Sequence, residues 1–290
     1  IDDSLDPHMA TNQNGSIVYM TWTECDTKHD DPICSISFTR SLDGGNTFTT
    51  SKIVSNKILP LEGYEGYSSS KRAGVNASSN TIFPHIPENV TVQEGINSIN
   101  PTVFTTLEGK RVYVLWEQSI FGKGESEIFL TISNDYGNSF NSTINISNTS
   151  GTSRLAHGQL LGDDIYVTWS DTLNNNKTFD VMLRKIDAKN LAGNVINLTN
   201  KSGNSVSPYL LVSNNKIYVT WIDDTNNSSV LLWIGDTSES PVMTKVLSNG
   251  QAEVYSNPLI FDTENKVWIA WTQYDDNNSH KIVLLDQEKL

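Results

Sequence analysis

The chain has 290 residues, a formal net charge of −13 and a sequence pI near 4.7. So acidic a surface argues against nucleic acid or anionic lipid as the main partner, because both demand a basic face. No run approaches the roughly 18 apolar residues of a membrane-spanning helix and no signal-peptide pattern opens the chain, as expected of a mature, processed protein.

In chain order, short runs of Val, Ile, Leu, Trp and Tyr alternate with Asn, Asp, Ser and Gly, which is strand and turn chemistry. Five segments share one pattern: SIVYMTW ending at Trp22, KRVYVLW at Trp116, DDIYVTW at Trp169, NKIYVTW at Trp221 and NKVWIAW at Trp271. The last three intervals are 53, 52 and 50 residues, the first is 94, and a fixed period of this length marks a repeat architecture. Each segment reads as a strand buried on both faces. A short apolar stretch precedes it, introduced in four repeats by Pro7, Pro101, Pro208 or Pro258. A third strand follows (SISFT, EIFLTI, DVMLR, VLLWI, KIVLL), then an Asp, and in four cases a fourth strand. Four antiparallel strands per roughly 50 residues is a propeller blade.

The expectation is therefore an all-β chain, one β-propeller domain over 1–290 with five blades of mostly four antiparallel strands. An insertion at about 59–97 separates blades one and two. The fifth blade has no fourth strand of its own within this chain, so its edge invites pairing, in a larger assembly for example. Cys25 and Cys34 lie between two strand segments of blade one and are expected to form a local disulfide rather than a metal site.

Two stretches carry a family resemblance. Ser41-Leu-Asp43-Gly-Gly45-Asn-Thr47-Phe48 and Ser133-Asn-Asp135-Tyr-Gly137-Asn-Ser139-Phe140 match the Asp-box (BNR repeat), S-x-D-x-G-x-[TS]-[FW], of sialidase-like β-propellers. The whole repeat also resembles those of archaeal cell-surface proteins. The resemblance implies a structural role for the box: the Asp accepts turn amides, the Gly permits a positive φ, and the aromatic ring wedges between neighbouring sheets, Phe48 included.

Loops joining strands two to three and four to one share one face of such a disc, and both elaborations, the cysteine loop and the insertion, fall there. Candidate ligand residues on that face are Tyr64, Tyr67, Arg72 and His85 of the insertion, Arg154, and an acidic ring just after the repeated Trp: Glu24, Glu117, Asp171, Asp223 and Asp275. The acids suit turn formation first, Ca²⁺ ligation second and glycoside hydrolysis third; no confident metal site emerges.

The sialidase resemblance implies a three-arginine clamp on the substrate carboxylate, but the Phe/Tyr-Arg-Ile-Pro motif that supplies the first is absent. Arg40 and Arg184 read as matching positions at the box end of strand three, and Arg111 also falls on the box side, which leaves Arg72 and Arg154. Tyr255 with Glu253 is a weak nucleophile–base pair, and His8 and His157 are expected to line the central channel. Twelve sequons, at Asn14, Asn76, Asn89, Asn141, Asn145, Asn148, Asn176, Asn197, Asn200, Asn226, Asn227 and Asn277, together with the disulfide, point to a secreted or cell-surface glycoprotein. The reading is a module binding surface glycans or proteins, or a subunit of a surface assembly; the alternative is an exo-acting glycoside hydrolase of sialidase type.

Overall fold

The computed structural model describes residues 3–26, 33–55, 96–120, 125–173, 178–188, 191–199, 203–224, 228–236, 241–248, 254, 257–263, 266–274 and 279–286. Blade one is β1 (Asp3–Thr11), β2 (Val18–Asp26), β3 (Ile33–Ser41) and β4 (Lys52–Ile53); blade two is β5 (Ile96–Thr105), β6 (Val112–Ile120), β7 (Ser126–Ser133) and β8 (Ile144–Asn145). Blade three is β9 (Ser153–Leu161), β10 (Asp164–Asp171), β11 (Asp180–Asp187) and β12 (Val195–Asn197); blade four is β13 (Ser205–Ser213), β14 (Lys216–Asp223), β15 (Ser229–Asp236) and β16 (Pro241–Val246). Blade five is β17 (Leu259–Thr263), β18 (Lys266–Tyr274) and β19 (His280–Asp286). Every sheet is an antiparallel meander in chain order, and the chain is a β-propeller of five blades, the last three-stranded among the described residues. Residues 59–95 of the insertion lie outside the described residues, and β5 already begins at Ile96.

Because side chains alternate along a strand, each blade has two apolar faces and needs a neighbour on each. The backward face carries the repeated Trp with Val or Ile two and four residues before it. The forward face carries the aromatic three residues before the Trp and two third-strand residues. Tyr19, Ile36 and Phe38 of blade one thus meet Val112, Val114 and Trp116 of blade two. Tyr113, Ile128 and Leu130 meet Ile165, Val167 and Trp169, and Tyr166, Val181 and Leu183 meet Ile217, Val219 and Trp221. Tyr218, Val230 and Leu232 meet Val267, Ile269 and Trp271. Trp116, Trp169 and Trp221 are fully buried in these seams, so truncating any of them to Ala costs about 3–5 kcal/mol.

Blades five and one share no such seam among the described residues. Accordingly β6 and β10 are buried on both faces, whereas β2 and β18 alternate buried with half-buried positions. The expectation of two buried faces holds in the middle of the series and fails at its ends, where one neighbour is missing.

The same asymmetry separates the two Ser-x-Asp-x-Gly turns. In the first, the Asp43 carboxylate accepts from Ser41 Oγ at 2.6 Å, Thr47 N at 2.9 Å and Thr47 Oγ1 at 2.6 Å, while Ser41 Oγ accepts from Gly45 N at 2.8 Å. Asp135 repeats this with Ser133 Oγ at 2.8 Å and with Ser139 N at 2.8 Å and Oγ at 2.6 Å. These donors hold Asp43 down to about 2 and lower Asp135 as well. The second turn belongs to blade two and abuts blade one: Phe140 packs edge-on against Phe38 at 4.9 Å, and Arg40 and Lys52 of blade one donate to the carbonyls of Tyr136, Gly137 and Asn138 at 2.6–2.7 Å. A Cβ on Gly137, whose φ is +76°, would lie 2.7 Å from Phe38. Among the described residues the first turn has no blade behind it, so Phe48 is 44% exposed rather than wedged between sheets, and a Cβ on Gly45 would meet Val18 Cγ2 only at an ordinary 3.9 Å.

A hydroxyl just beyond each short fourth strand pins it to the third. Ser55, Ser147, Thr199 and Ser248 accept from the amides of Ile36, Ile128, Val181 and Val230 at 3.1, 2.9, 3.1 and 2.9 Å.

Candidate functional site

The inner strand of each of the first four blades carries a bulge directly opposite the repeated Trp. Asp6 and Pro7, Asn100 and Pro101, Leu155 and Ala156, and Ser207 and Pro208 each set two residues against one. The first of each pair has positive φ: 49° at Asp6, 53° at Asn100, 55° at Leu155 and 56° at Ser207. Asp and Asn tolerate that region, but a leucine there is strained by roughly 1–2 kcal/mol. The bulges re-aim the inner strands at the axis, placing His8, Thr102, His157 and Tyr209 at equivalent positions, each paired with the residue before the Trp.

Most of the predicted acidic ring is spent on the scaffold. In four blades the residue two after the Trp accepts the indole N–H: Glu24 at 2.5 Å, Gln118 at 3.3 Å, Asp171 at 3.0 Å and Gln273 at 2.8 Å. Asp171 is fully buried and also accepts from Ser153 Oγ at 2.8 Å, Thr149 Oγ1 at 3.1 Å and the Leu173 amide at 2.8 Å, so it serves a turn and not a ligand. Asp223 takes Ser205 Oγ at 3.1 Å. Asp275, Tyr64, Tyr67, Arg72 and His85 lie outside the described residues, as do Tyr255 and Glu253.

Glu117 differs, standing one residue after the Trp on the forward face of blade two, in the seam with blade three. Asn100 Nδ2 donates to Oε2 at 3.1 Å and Arg154 Nε of blade three lies 3.7 Å from Oε1. Burial raises the carboxyl above its ordinary value, against the lowering pull of Asn100 and Arg154. Arg154 leaves half its side chain in solvent and lies over the Phe179 ring at 6.0 Å. Glu127 of β7, in register with Gln118 rather than with Glu117, accepts from Ser147 Oγ and the Thr149 amide and is pushed up to about 7, chiefly by burial. A buried acid, a half-exposed guanidinium beside an aromatic ring, an amide and a strained leucine thus share one end of the blade two–three seam. This group can donate and accept hydrogen bonds and offers an apolar surface, the equipment of a polyol site.

The axis below is lined by histidine and tyrosine. The His157 ring stacks on Tyr209 at 3.9 Å and meets His8 edge-on at 6.3 Å. His157 is buried, its Nδ1 has no hydrogen-bond partner, and burial followed by the nearby His8 lowers it to about 3. His8 Nδ1 accepts the Val103 amide at 3.2 Å. In the neutral ring this places the proton on Nε2, so the pair does not present two free nitrogens to a metal. Among the described residues no three His, Cys, Asp or Glu side chains gather as a cation site requires, which leaves the Ca²⁺ reading without a ligand set there.

The arginines do not converge on this face. Arg40 pairs with Tyr19 but Arg184 pairs with Val167, one step out of register, so the two sit on opposite faces of their blades rather than in matching positions. Arg184 Nη1 donates to the Ile146 carbonyl at 2.5 Å, and Arg111 ion-pairs with Asp163 at 2.6 Å. Arg154 is the one described arginine on the candidate face.

Cys25 and Cys34 face each other on β2 and β3 and are bonded, with Cα atoms 4.0 Å apart; Asn97 Oδ1 accepts the Cys34 amide at 2.7 Å, tying the bridge to blade two. Of the sequons, Asn14, Asn141 and Asn148 are exposed. Asn145 is only 5% exposed, a correction to its candidacy: its Oδ1 accepts the Asn148 amide at 2.9 Å, and its hydroxyl partner is the strand-pinning Ser147. Asn197 is half-buried and donates to Asp180 at 3.0 Å. Asn76, Asn89, Asn176, Asn200, Asn226, Asn227 and Asn277 lie outside the described residues. Sequence reasoning missed Asn100 and Glu127. Asn100 had a legible signal: an Asp, Asn or Ser stands before the Pro of the inner strand in blades one, two, four and five.

No family model and no curated protein matches the chain. Solved structures do. The NanB sialidase from Streptococcus pneumoniae superposes with a TM-score of 0.58 at 9% identity, covering 97% of this chain and 58% of that one. The intramolecular trans-sialidase from Ruminococcus gnavus gives 0.56 at 11% identity over 98% and 85% of the two chains. The exo-β-1,3-galactanase 1,3Gal43A from Clostridium thermocellum gives 0.53 at 14% identity over 97% and 58%. The chain spans little more than half the length of the first and third, and what it shares with all three is the β-propeller fold.

Proposed function

We propose that the chain is a glycan-binding β-propeller of an extracellular, N-glycosylated, Asp-box type, of the kind found on archaeal cell surfaces, meeting its ligand around Glu117, Arg154 and Asn100. The observation that carries this is the contrast within the acidic ring: Glu24 and Asp171 are consumed by indole N–H donors, while Glu117 is coupled to a half-exposed guanidinium beside an aromatic ring. Exposed glycans or glycosylated proteins are the partners, and the strained Leu155 between Arg154 and the axial His157 fixes the geometry of the mouth.

One observation favours a hydrolase as the second reading. Burial raises Glu117 toward the protonated form that a general acid needs. Against a sialidase mechanism stand Arg40, Arg111 and Arg184, each held by carbonyls or a carboxylate elsewhere. A glycan array that includes sialosides, scored for both retention and sugar release, separates the readings. Retention without release supports the binding module, release at catalytic concentration supports the hydrolase, and neither overturns both.

A further inference from the structure

Charge decides what the mouth around Arg154 can hold. The trailing ends of the second strands carry Glu24, Glu117, Asp171 and Asp223, with Asp224 next, against Arg154 as the one described arginine on this face, in a chain of net charge −13. The potential over the mouth is therefore negative. The guanidinium is already balanced: its Nε stands 3.7 Å from Glu117 Oε1, and the Phe179 ring lies against it with its centroid at 6.0 Å. Asn100 Nδ2 and the Leu155 amide hold the same carboxylate from other directions. The Glu117 side chain is only 6% exposed, so solvent ions screen its charge poorly.

Given the glycan-binding reading, on which this rests, we infer that Glu117 makes the mouth a site for uncharged sugars, admitting adjacent hydroxyls of a neutral pyranose and keeping out carboxylated or sulfated ones. A hydroxyl both donates and accepts. One hydroxyl can therefore take an N–H of Arg154 while its neighbour donates to the side-chain carbonyl of Asn100, whose Nδ2 is engaged by Glu117. A ligand carboxylate or sulfate brings acceptors only. It would meet Arg154 on one side, but it would also face the Glu117 charge across that arginine, leave Asn100 Oδ1 without a donor and add to the negative potential of the mouth. Repulsion from a poorly solvated carboxylate outweighs what a half-solvated arginine returns to an incoming anion.

The test scores retention of the full chain and of its Glu117→Gln variant on a glycan array that carries uncharged hexosides beside sialylated, uronic-acid and sulfated ones, at about 50 and about 500 mM sodium chloride. The parent chain is expected to hold uncharged glycans at least about ten-fold more tightly than charged glycans of the same backbone. Its affinities for the uncharged set should change by less than about two-fold between the two salt concentrations. In Glu117→Gln, which keeps the shape and removes the charge, charged glycans are expected to gain about five-fold or more relative to uncharged ones. A parent chain that prefers charged glycans, or whose retention collapses at high salt, would overturn the inference and leave the glycan-binding reading standing. An unchanged ratio in Glu117→Gln, with a thermal midpoint close to the parent's, would remove Glu117 as the selecting charge and overturn it too. Retention of neither class would overturn that reading and this inference together. Should the variant fail to fold, the selectivity and salt dependence of the parent chain still decide the outcome, because neither needs a substitution.

Discussion

Phe48 and Phe140 occupy the same place in two turns of one sequence pattern, and only Phe140 is packed. What differs is the blade behind them. Phe140→Ala is therefore expected to lower stability by about 2 kcal/mol and Phe48→Ala by less than about 1 kcal/mol, read as shifts in thermal midpoint. Equal shifts would contradict the packing argument. Titration gives a second residue-scale prediction. His157 is depressed from 6.5 to about 3 by burial, so its contribution is present in full above pH 6.5 and is lost as pH falls toward 3. His157→Phe should flatten the decline of the melting midpoint between pH 6.5 and 4; an unchanged pH profile would place the acid sensitivity elsewhere. Neither outcome was legible in the local sequence, because both depend on which blade lies alongside.

At the scale of the element, the repeat itself was legible. The aromatic-x-x-Trp strand and the apolar third strand mark every blade, with a Pro before the inner strand in four, because short apolar runs rich in β-branched residues and bounded by turn residues recur at one spacing. The short fourth strands were readable in four blades as a further strand segment, whereas the Ser or Thr that pins each of them emerges only from the structure. The acids after the Trp suited turn formation first, and Asp171 does cap a turn through the Leu173 amide. A carboxylate there looks like a ligand in isolation, yet its partner is the indole two residues earlier, a contact across one pleat of the same strand. Asp171→Leu would strand the Trp169, Ser153, Thr149 and Leu173 donors and should cost at least about 3 kcal/mol, with Asp171→Asn much milder. Equal melting of the two variants would mean that the carboxylate is not structural. The sequon at Asn145 misled for a related reason, since the pinning Ser147 hydroxyl completes the motif for structural purposes.

At the scale of the whole molecule, the seams predict a gradient of local stability. The strands β6, β10 and β14 have a blade on either side, whereas β1, β17 and β19 expose one face. Hydrogen exchange should be slowest in the first group and fastest in the second; uniform protection across all five blades would show that the end faces are covered in solution. The candidate site was half legible. Glu117 and Arg154 were singled out, but their ion pair joins residues from different blades and follows from a bulge that only the three-dimensional register reveals. The decisive comparison is the affinity of Arg154→Ala and Arg111→Ala for a glycan retained by the parent chain, since the first arginine is on the candidate face and the second is on the opposite, box-side end. The binding account predicts a loss of roughly ten-fold or more for Arg154→Ala and none for Arg111→Ala. Equal affinities, a loss confined to Arg111→Ala, or a parent chain that retains no glycan would contradict it.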